Sequence, residues 1–444
     1  MALQNDVLAQ HSYALYGLQL ATMIPYLLRK AVFLKNLFLP SFFVLVYFLL
    51  NLTLGSYLVP RDYGWNREFT DVALAIRHYK LIVPYLLLAN VVLFLLTDLA
   101  FRRMNALSRN MERGSPPHTG ARGEAWGMGR MPFYFAAFFL VSYFDVYSAF
   151  SFQLAILIVH TTDPAMRGRW YRFGVYAYYL MTMVAFDFGN KREIAIVLFL
   201  IMFVEAYFGR IVLRFGLRNL AAFAAVAASF FALILAASIL RGYGDFPVTS
   251  VFQAISYIPR YMTSEMFIDG ITDNLELNYN YGCAITSIDL GIRGLIDYQY
   301  GASLIKPLFL PIPRELLPWK PESIMQIFTQ VYAPEWWLEE GSMPVMFASE
   351  MFLNFSYLGL APFALVLGLI NRLFVGFHLA PPGSFAFLSC AFLSITVLTL
   401  ARGGGIEQYL LYYLLAIPVF LVVMLLRQSS REPGRAAAQV HVHS

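Results

Sequence analysis

Residues 79–103, YKLIVPYLLLANVVLFLLTDLAFRR, decide the fold class. Positions 79–100 are apolar over the length of about 20 residues that a helix needs to cross a bilayer, and the run stops at Arg102 and Arg103. Comparable runs occupy 36–59, 171–190, 192–209, 219–240, 348–370, 382–401 and 408–426. Segment 131–162 is long for one span and short for two, so a hairpin turning near Asp145 and Ser148 is expected. Residues 12–28 read as a first span or as an interfacial helix. The expectation is an all-α polytopic membrane protein with 10–11 transmembrane helices.

The composition agrees. The 444 residues are 59% hydrophobic and only 13% charged, where soluble domains carry about 25% charged residues. The 17% aromatic content suits interfacial belts at helix ends. Residues 1–11 hold no basic region and no small-residue cleavage site follows, so no cleavable signal peptide is expected. Cys283 falls in a long polar segment and Cys390 in a helix, which argues against a bridge. No HExxH or CxxC spacing occurs, and neither a metal nor a cofactor is expected.

Orientation follows from the cations. Loop 101–130 holds Arg102, Arg103, Arg109, Arg113, Arg122 and Arg130 against Glu112 and Glu124. Arg167, Arg169, Arg172, Arg210, Arg214, Arg218 and Arg372 lie in further connections, and the tail 428–444 adds Arg431 and Arg435 just after Arg427. These alternate loops are assigned to the cytoplasm. Segment 241–347 carries 6 Lys and Arg against 12 Asp and Glu, a net −6, which leaves +11 on the rest of a chain of net charge +5. The distribution along the chain accounts for that charge without a nucleic-acid partner. The expected organisation is transmembrane helices over 1–240, one large outer loop over 241–347, further transmembrane helices over 348–427, and a cytoplasmic tail.

The outer loop is too long for a mere connector. Residues 250–271 read as an amphipathic helix broken at Pro259, which carries Arg260 to the membrane face. PIPRELLPWKPES, 311–323, reads as a stiff extended support that presents Arg314 and Lys320 beside Trp319. Lys191 and Arg192 sit at a tight turn between spans, and Arg402 precedes three glycines and Glu407. Glu350 opens a span, where a charge needs a wet cavity or a partner. Together these suggest an outward-facing cationic cavity suited to a diphosphate. Plainer roles stand beside these: Lys191, Arg192 and Arg402 as headgroup anchors, Trp336 and Trp337 as packing, and His78 as a surface histidine. Arg293 and Lys306 read as ordinary solvated loop charges. The triple glycine lacks the pattern of a nucleotide loop.

YGASLIKPLFLPIPRELLPWKPES, 300–323, and SEMFLNFSYLGLAPFALVLGLINRLF, 349–374, resemble the O-antigen polymerase (Wzy-type) or oligosaccharide repeat-unit polymerase family. Pro313, Arg314, Pro318, Trp319, Lys320 and Pro321 match the first motif of that family; Glu350, Asn354, Phe355 and Gly359 match the second. GNKRE, 189–193, matches its small-polar-Arg turn with Arg192 in the arginine place. Ser356 stands where glycine is usual, and Lys191 where serine is more common.

The resemblance implies a helical bundle like the GT-C transferases, with the large loop in the periplasm of a bacterium and the helices in its inner membrane. It implies metal-independent transfer of a growing glycan between undecaprenyl-diphosphate-linked oligosaccharides, a donor and an acceptor, with a chain-length regulator left open as a partner. Arg192, Arg260, Arg314, Lys320 and Arg402 would face diphosphate and glycan, with Lys191, Trp319 and Glu407 alongside. Glu350 would be the base or the organiser of the cavity, and His78 a second base candidate. A ligase that attaches glycan to lipid A core and a non-enzymatic flippase or carrier are the competing readings. The carrier reading predicts inverted repeats, broken helices and midplane charges.

Overall fold

A computed structural model describes residues 2–31, 34–58, 78–114, 168–186, 191–207, 228, 231–232, 234–236, 238–240, 242, 245–267, 270, 277–309, 312–377, 380 and 384–429. These residues form helices, short 3-10 turns and loops; among them there is no β-strand, only an isolated bridge between Val345 and Gly404. The helices are α1 (Ala2–Lys30), α2 (Pro40–Leu58), α3 (Tyr79–Gly114), α4 (Arg169–Phe186), α5 (Lys191–Tyr207), α6 (Val251–Tyr261), α7 (Leu277–Ile292), α8 (Ala302–Phe309), α9 (Ile324–Tyr332), α10 (Pro334–Leu338), α11 (Phe347–Phe355), α12 (Leu360–Phe377), α13 (Phe385–Arg402) and α14 (Gly405–Ser429).

Among the described residues, four helical stretches are long and apolar enough to cross a membrane: Pro40–Leu58, Tyr79–Arg109, Phe347–Phe377 and Phe385–Arg402. They fall on the runs at 36–59, 79–100, 348–370 and 382–401. The chain is therefore an all-α membrane protein. The hairpin expected within 131–162, most of the run 219–240 and the tail beyond 429 lie outside the described residues. One boundary moves: α3 continues to Gly114, so Arg102, Arg103, Arg109 and Arg113 lie on a helix and not in a loop.

The chain divides into two compact units. The first comprises Met1–Arg102, Val212–Asn371 and Val397–Leu410. Polar side chains join its apolar helices, since a buried donor or acceptor in such surroundings must find a partner. Asn90 Nδ2 donates to Gln19 Oε1 at 2.8 Å, which ties α3 to α1. Asn371 Nδ2 donates to Ser41 Oγ at 2.8 Å, and Ser41 Oγ lies 2.8 Å from Thr97 Oγ1, so α12, α2 and α3 share one buried polar bridge. Asp98 accepts from Lys30 at 2.8 Å and from Arg102 at 2.6 Å.

The same unit holds α7, LNYNYGCAITSIDLGI, which packs on α2 and α11 and is buried from Asn280 to Gly291. Asn280 Nδ2 donates to Tyr47 OH at 2.7 Å, and Ser349 Oγ donates to the Ala284 carbonyl at 3.1 Å. The helix stops at Gly294, φ +67°, where the Leu295 N–H reaches the Leu290 carbonyl and the Gly294 N–H reaches that of Gly291. That pair of bonds satisfies two terminal carbonyls and requires the left-handed residue that glycine supplies.

The span that begins at Phe347 is not continuous. Helix α11 ends at Phe355, a 3-10 turn covers Ser356–Gly359, and α12 starts at Leu360. Ser356 turns the chain with φ +54° and ψ −140°, a conformation that strains any residue with a Cβ. Ser356→Gly is expected to raise stability by about 1 kcal/mol, offset in part by the lost 3.3 Å bond from Tyr298 OH; thermal unfolding of the two proteins in the same detergent checks it.

Two expectations for segment 241–347 are corrected. Pro259 does not break its helix: α6 starts at the N-cap Ser250 and runs through Pro259 to Tyr261. Only the Ile255 carbonyl loses its donor there, too small a loss to end a helix already in its last turn. Residues 313–320 fold into successive turns, with the Leu316 and Leu317 N–H groups reaching the Pro313 carbonyl and the Lys320 N–H that of Leu317, so the support expected over 311–323 is not extended.

The second unit comprises Arg103–Ile211, Arg372–Thr396 and Leu411–Ser444. Here Glu205 of α5 accepts from Tyr176 OH at 2.8 Å and pairs with Arg172 Nε at 3.2 Å, both on α4. Phe385 and Phe392 of α13 meet Phe420 of α14 edge-on.

Candidate functional site

The site builds outward from Glu350, fully buried in the first turn of α11. Its Oε2 accepts from the Ile406 N–H at 2.9 Å. Ile406 is in the first turn of α14, where N–H groups lack carbonyl partners and the helix dipole favours negative charge. A carboxylate from one helix thus caps another that begins 55 residues later. The close approach requires Gly405, φ +64°, where a Cβ would stand 2.9 Å from Glu350 Oε2. The turn is anchored from below, because the Val345 N–H donates to the Gly403 carbonyl at 2.9 Å. Glu350 Oε1 is buried and has no hydrogen-bond partner among the described residues.

A second carboxylate, Glu407, follows on the same helix turn and pairs with Lys306 Nζ of α8 at 2.7 Å. The two side chains keep only 7% and 15% of their surface exposed, so the pair is shielded from water. Asn354 joins α8 to α11: its Nδ2 donates to Ser303 Oγ and to the Glu350 carbonyl, both at 2.8 Å, and its Oδ1 accepts from the Gly301 N–H at 2.9 Å. The Tyr300 N–H reaches the Asn354 carbonyl at 3.1 Å and the Gln299 N–H that of Leu353 at 2.9 Å. Residues 299–306, 350–354 and 402–407 are therefore one buried polar knot.

A second cluster stands at the far end of α7. His78 precedes α3, and its Nδ1 lies 2.5 Å from Asp289 Oδ1. Asp289 is 1% exposed and also pairs with Arg293 Nε at 2.9 Å, one helical turn on. Tyr79 OH and Tyr281 OH, from near the starts of α3 and α7, meet at 3.0 Å. A neutral imidazole donating from Nδ1 to a carboxylate keeps Nε2 as an acceptor.

The remaining residues named from the sequence scatter. Arg402 closes α13, half-buried, at the start of the glycine turn. Arg314 is half exposed and pairs loosely with Glu322 at 3.6 Å. Lys320 Nζ donates to the Ile312 carbonyl at 3.0 Å, which folds PIPRELLPWK back on itself. Trp319 is 66% exposed, with its ring edge-on to Phe309. Arg260 is exposed on α6 and lies over the Phe246 ring at 5.7 Å. Lys191 and Arg192 open α5 in the other unit, and their side chains lie outside the described ones.

Two cations have firmer places than ordinary solvated loop charges. Lys306 is not a solvated loop charge but a buried ion-pair partner, because α8 turns Ser303, Lys306 and Pro307 inward on one face. Arg293 is held by Asp289, and Asp289 itself went unremarked; its signal was an Asp and an Arg four apart at a helix end. Trp336 packs on the apolar cluster of Met325, Phe328 and Met343, whereas Trp337 is exposed. Burial pushes the Cys283 thiol well above its usual range, which removes it as a nucleophile. Among the described residues no three His, Cys, Asp or Glu side chains gather to hold a metal. Comparison with protein-family models, curated proteins and solved structures gives no match.

Proposed function

We propose that this chain is a membrane glycosyltransferase that acts on lipid-linked sugar. Within that class we read it as an O-antigen-type polymerase, which joins undecaprenyl-diphosphate-linked repeat units at the periplasmic face of a bacterial inner membrane. The observation that supports this is the polar knot. The two motif segments on which the family resemblance rests, 300–323 and 349–374, are bonded to each other through Asn354 and to the RGGGIE turn through Glu350 and Lys306. Motifs far apart in a chain that converge on buried polar groups mark a working site more readily than an arbitrary stretch of packing.

In this reading the 241–347 segment faces the periplasm, as its net −6 charge favours. Arg314 and Arg402 stabilise the charge that grows on the departing diphosphate, while Arg260, Lys320, Trp319 and Glu407 bind glycan and carrier. Purified protein given lipid-linked repeat units is expected to make a ladder of chain lengths. Arg314→Gln and Arg402→Gln are each expected to slow its growth by about 10²–10³-fold. An unchanged ladder in both would overturn the cation assignment. An absent ladder with the parent protein would overturn the polymerase.

The broken α11–α12 span favours one alternative, a carrier of lipid-linked glycan, since interrupted helices suit transport sites. Proteoliposomes separate the two: a carrier moves the lipid-linked unit across the bilayer and yields no longer glycan. Glycan appearing on lipid A core instead would point to the ligase.

A further inference from the structure

We infer that His78 is the proton acceptor of the transfer and that Asp289 and Arg293 position it, an inference that rests on the glycosyltransferase reading above. Glu350, the other base candidate, is poorly suited to that work. It is fully buried and one of its oxygens is engaged by the α14 N-terminus, so its geometry is that of a cap. His78 differs on each count. Its side chain is 31% exposed, its Nδ1 is held at 2.5 Å by a buried carboxylate, and its Nε2 has no hydrogen-bond partner among the described residues.

The chain Arg293–Asp289–His78 has a division of labour. Asp289 sits in the last turn of α7, where the helix dipole disfavours an anion. Arg293 Nε at 2.9 Å offsets that and leaves the second oxygen, Oδ1, for the imidazole. A carboxylate on Nδ1 fixes the tautomer and stabilises the imidazolium once it forms. The cluster is also built into the body of the site. Two residues after Asp289, a Cβ at Gly291 would touch Leu353 and Phe352 of α11, the helix that carries Glu350 and Asn354.

His78 Nε2 takes the proton of the acceptor sugar hydroxyl. The hydroxyl oxygen forms the new bond to the anomeric carbon of the donor glycan. The old bond from that carbon to the phosphate oxygen breaks, and its electron pair leaves with the lipid diphosphate. The imidazolium then returns its proton to the diphosphate or to water.

The test uses the full-length protein in detergent with lipid-linked donor and acceptor, and reads ladder growth, KM for the acceptor and thermal unfolding. His78→Ala is expected to lower kcat about 10²–10⁴-fold with KM and unfolding temperature little changed. Added imidazole should restore part of that loss in His78→Ala but not in His78→Gln, whose side chain fills the space. Asp289→Asn should lower kcat, and combined with His78→Ala should cost no more than His78→Ala alone, because Asp289 acts only through the ring. A parent protein that makes a ladder and keeps its rate in His78→Ala overturns this inference and leaves the transferase reading standing. Loss in His78→Ala without imidazole rescue and with additive effects overturns it in favour of a structural clasp between α3 and α7. A parent protein without a ladder overturns both.

Discussion

Lys306→Ala is expected to destabilise the protein by about 3–5 kcal/mol, the cost of leaving one member of a buried ion pair without its partner. Lys306 Nζ lies 2.7 Å from Glu407 Oε1, with 7% and 15% of the two side chains exposed. Water cannot hydrate the abandoned Glu407 as it would a surface carboxylate. The pair itself contributes far less than its loss suggests, because desolvation of both charges offsets most of their attraction. The double variant Lys306→Met with Glu407→Leu is therefore expected to recover most of the loss. Thermal or denaturant unfolding of the two single variants and the double in one detergent measures the cycle. A single variant within about 1 kcal/mol of the parent would mean that the pair is solvated, and the knot would lose its centre.

Glu350 is where stability and chemistry separate most cleanly. Glu350→Ala is expected to cost about 1.5–3 kcal/mol, the worth of a hydrogen bond to a charged group, since it strips the Ile406 N–H of its acceptor. Glu350→Gln keeps an acceptor oxygen at that N–H and should stay within about 1 kcal/mol of the parent. With His78 as the proton acceptor, Glu350→Gln should also keep the ladder. A folded Glu350→Gln protein that makes none would return the role of base to Glu350. Unfolding and ladder growth are both measured on the same two preparations.

The membrane helices were legible because the bilayer imposes a length and a polarity that a sequence displays directly. The runs at 36–59, 79–100, 348–370 and 382–401 each became a helix long enough to cross. Interruptions were less legible. The break after Phe355 rests on a serine held at positive φ, and no apolar count registers a dihedral angle. Pro259 misled in the opposite direction. Proline near a helix end removes one bond and leaves the rest, so α6 passes through.

At the candidate site, sequence alone determined that Glu350, Arg402 and Glu407 are unusual, because charged groups beside apolar spans need partners; Asn354 stood out only through the family resemblance. It could not name those partners. Lys306 looked like a loop cation and Arg314 and Lys320 like the working ones. The tertiary structure turned Lys306 inward to Glu407 and left Arg314 and Lys320 bonded within their own loop. Glu350 meets Ile406 across 56 positions, and His78 meets Asp289 across 211. Such pairings are set by how helices pack and by which face each turns inward. Composition and spacing therefore determined that this is a helical membrane protein with buried charges to satisfy. Only the packing decided which charge satisfies which.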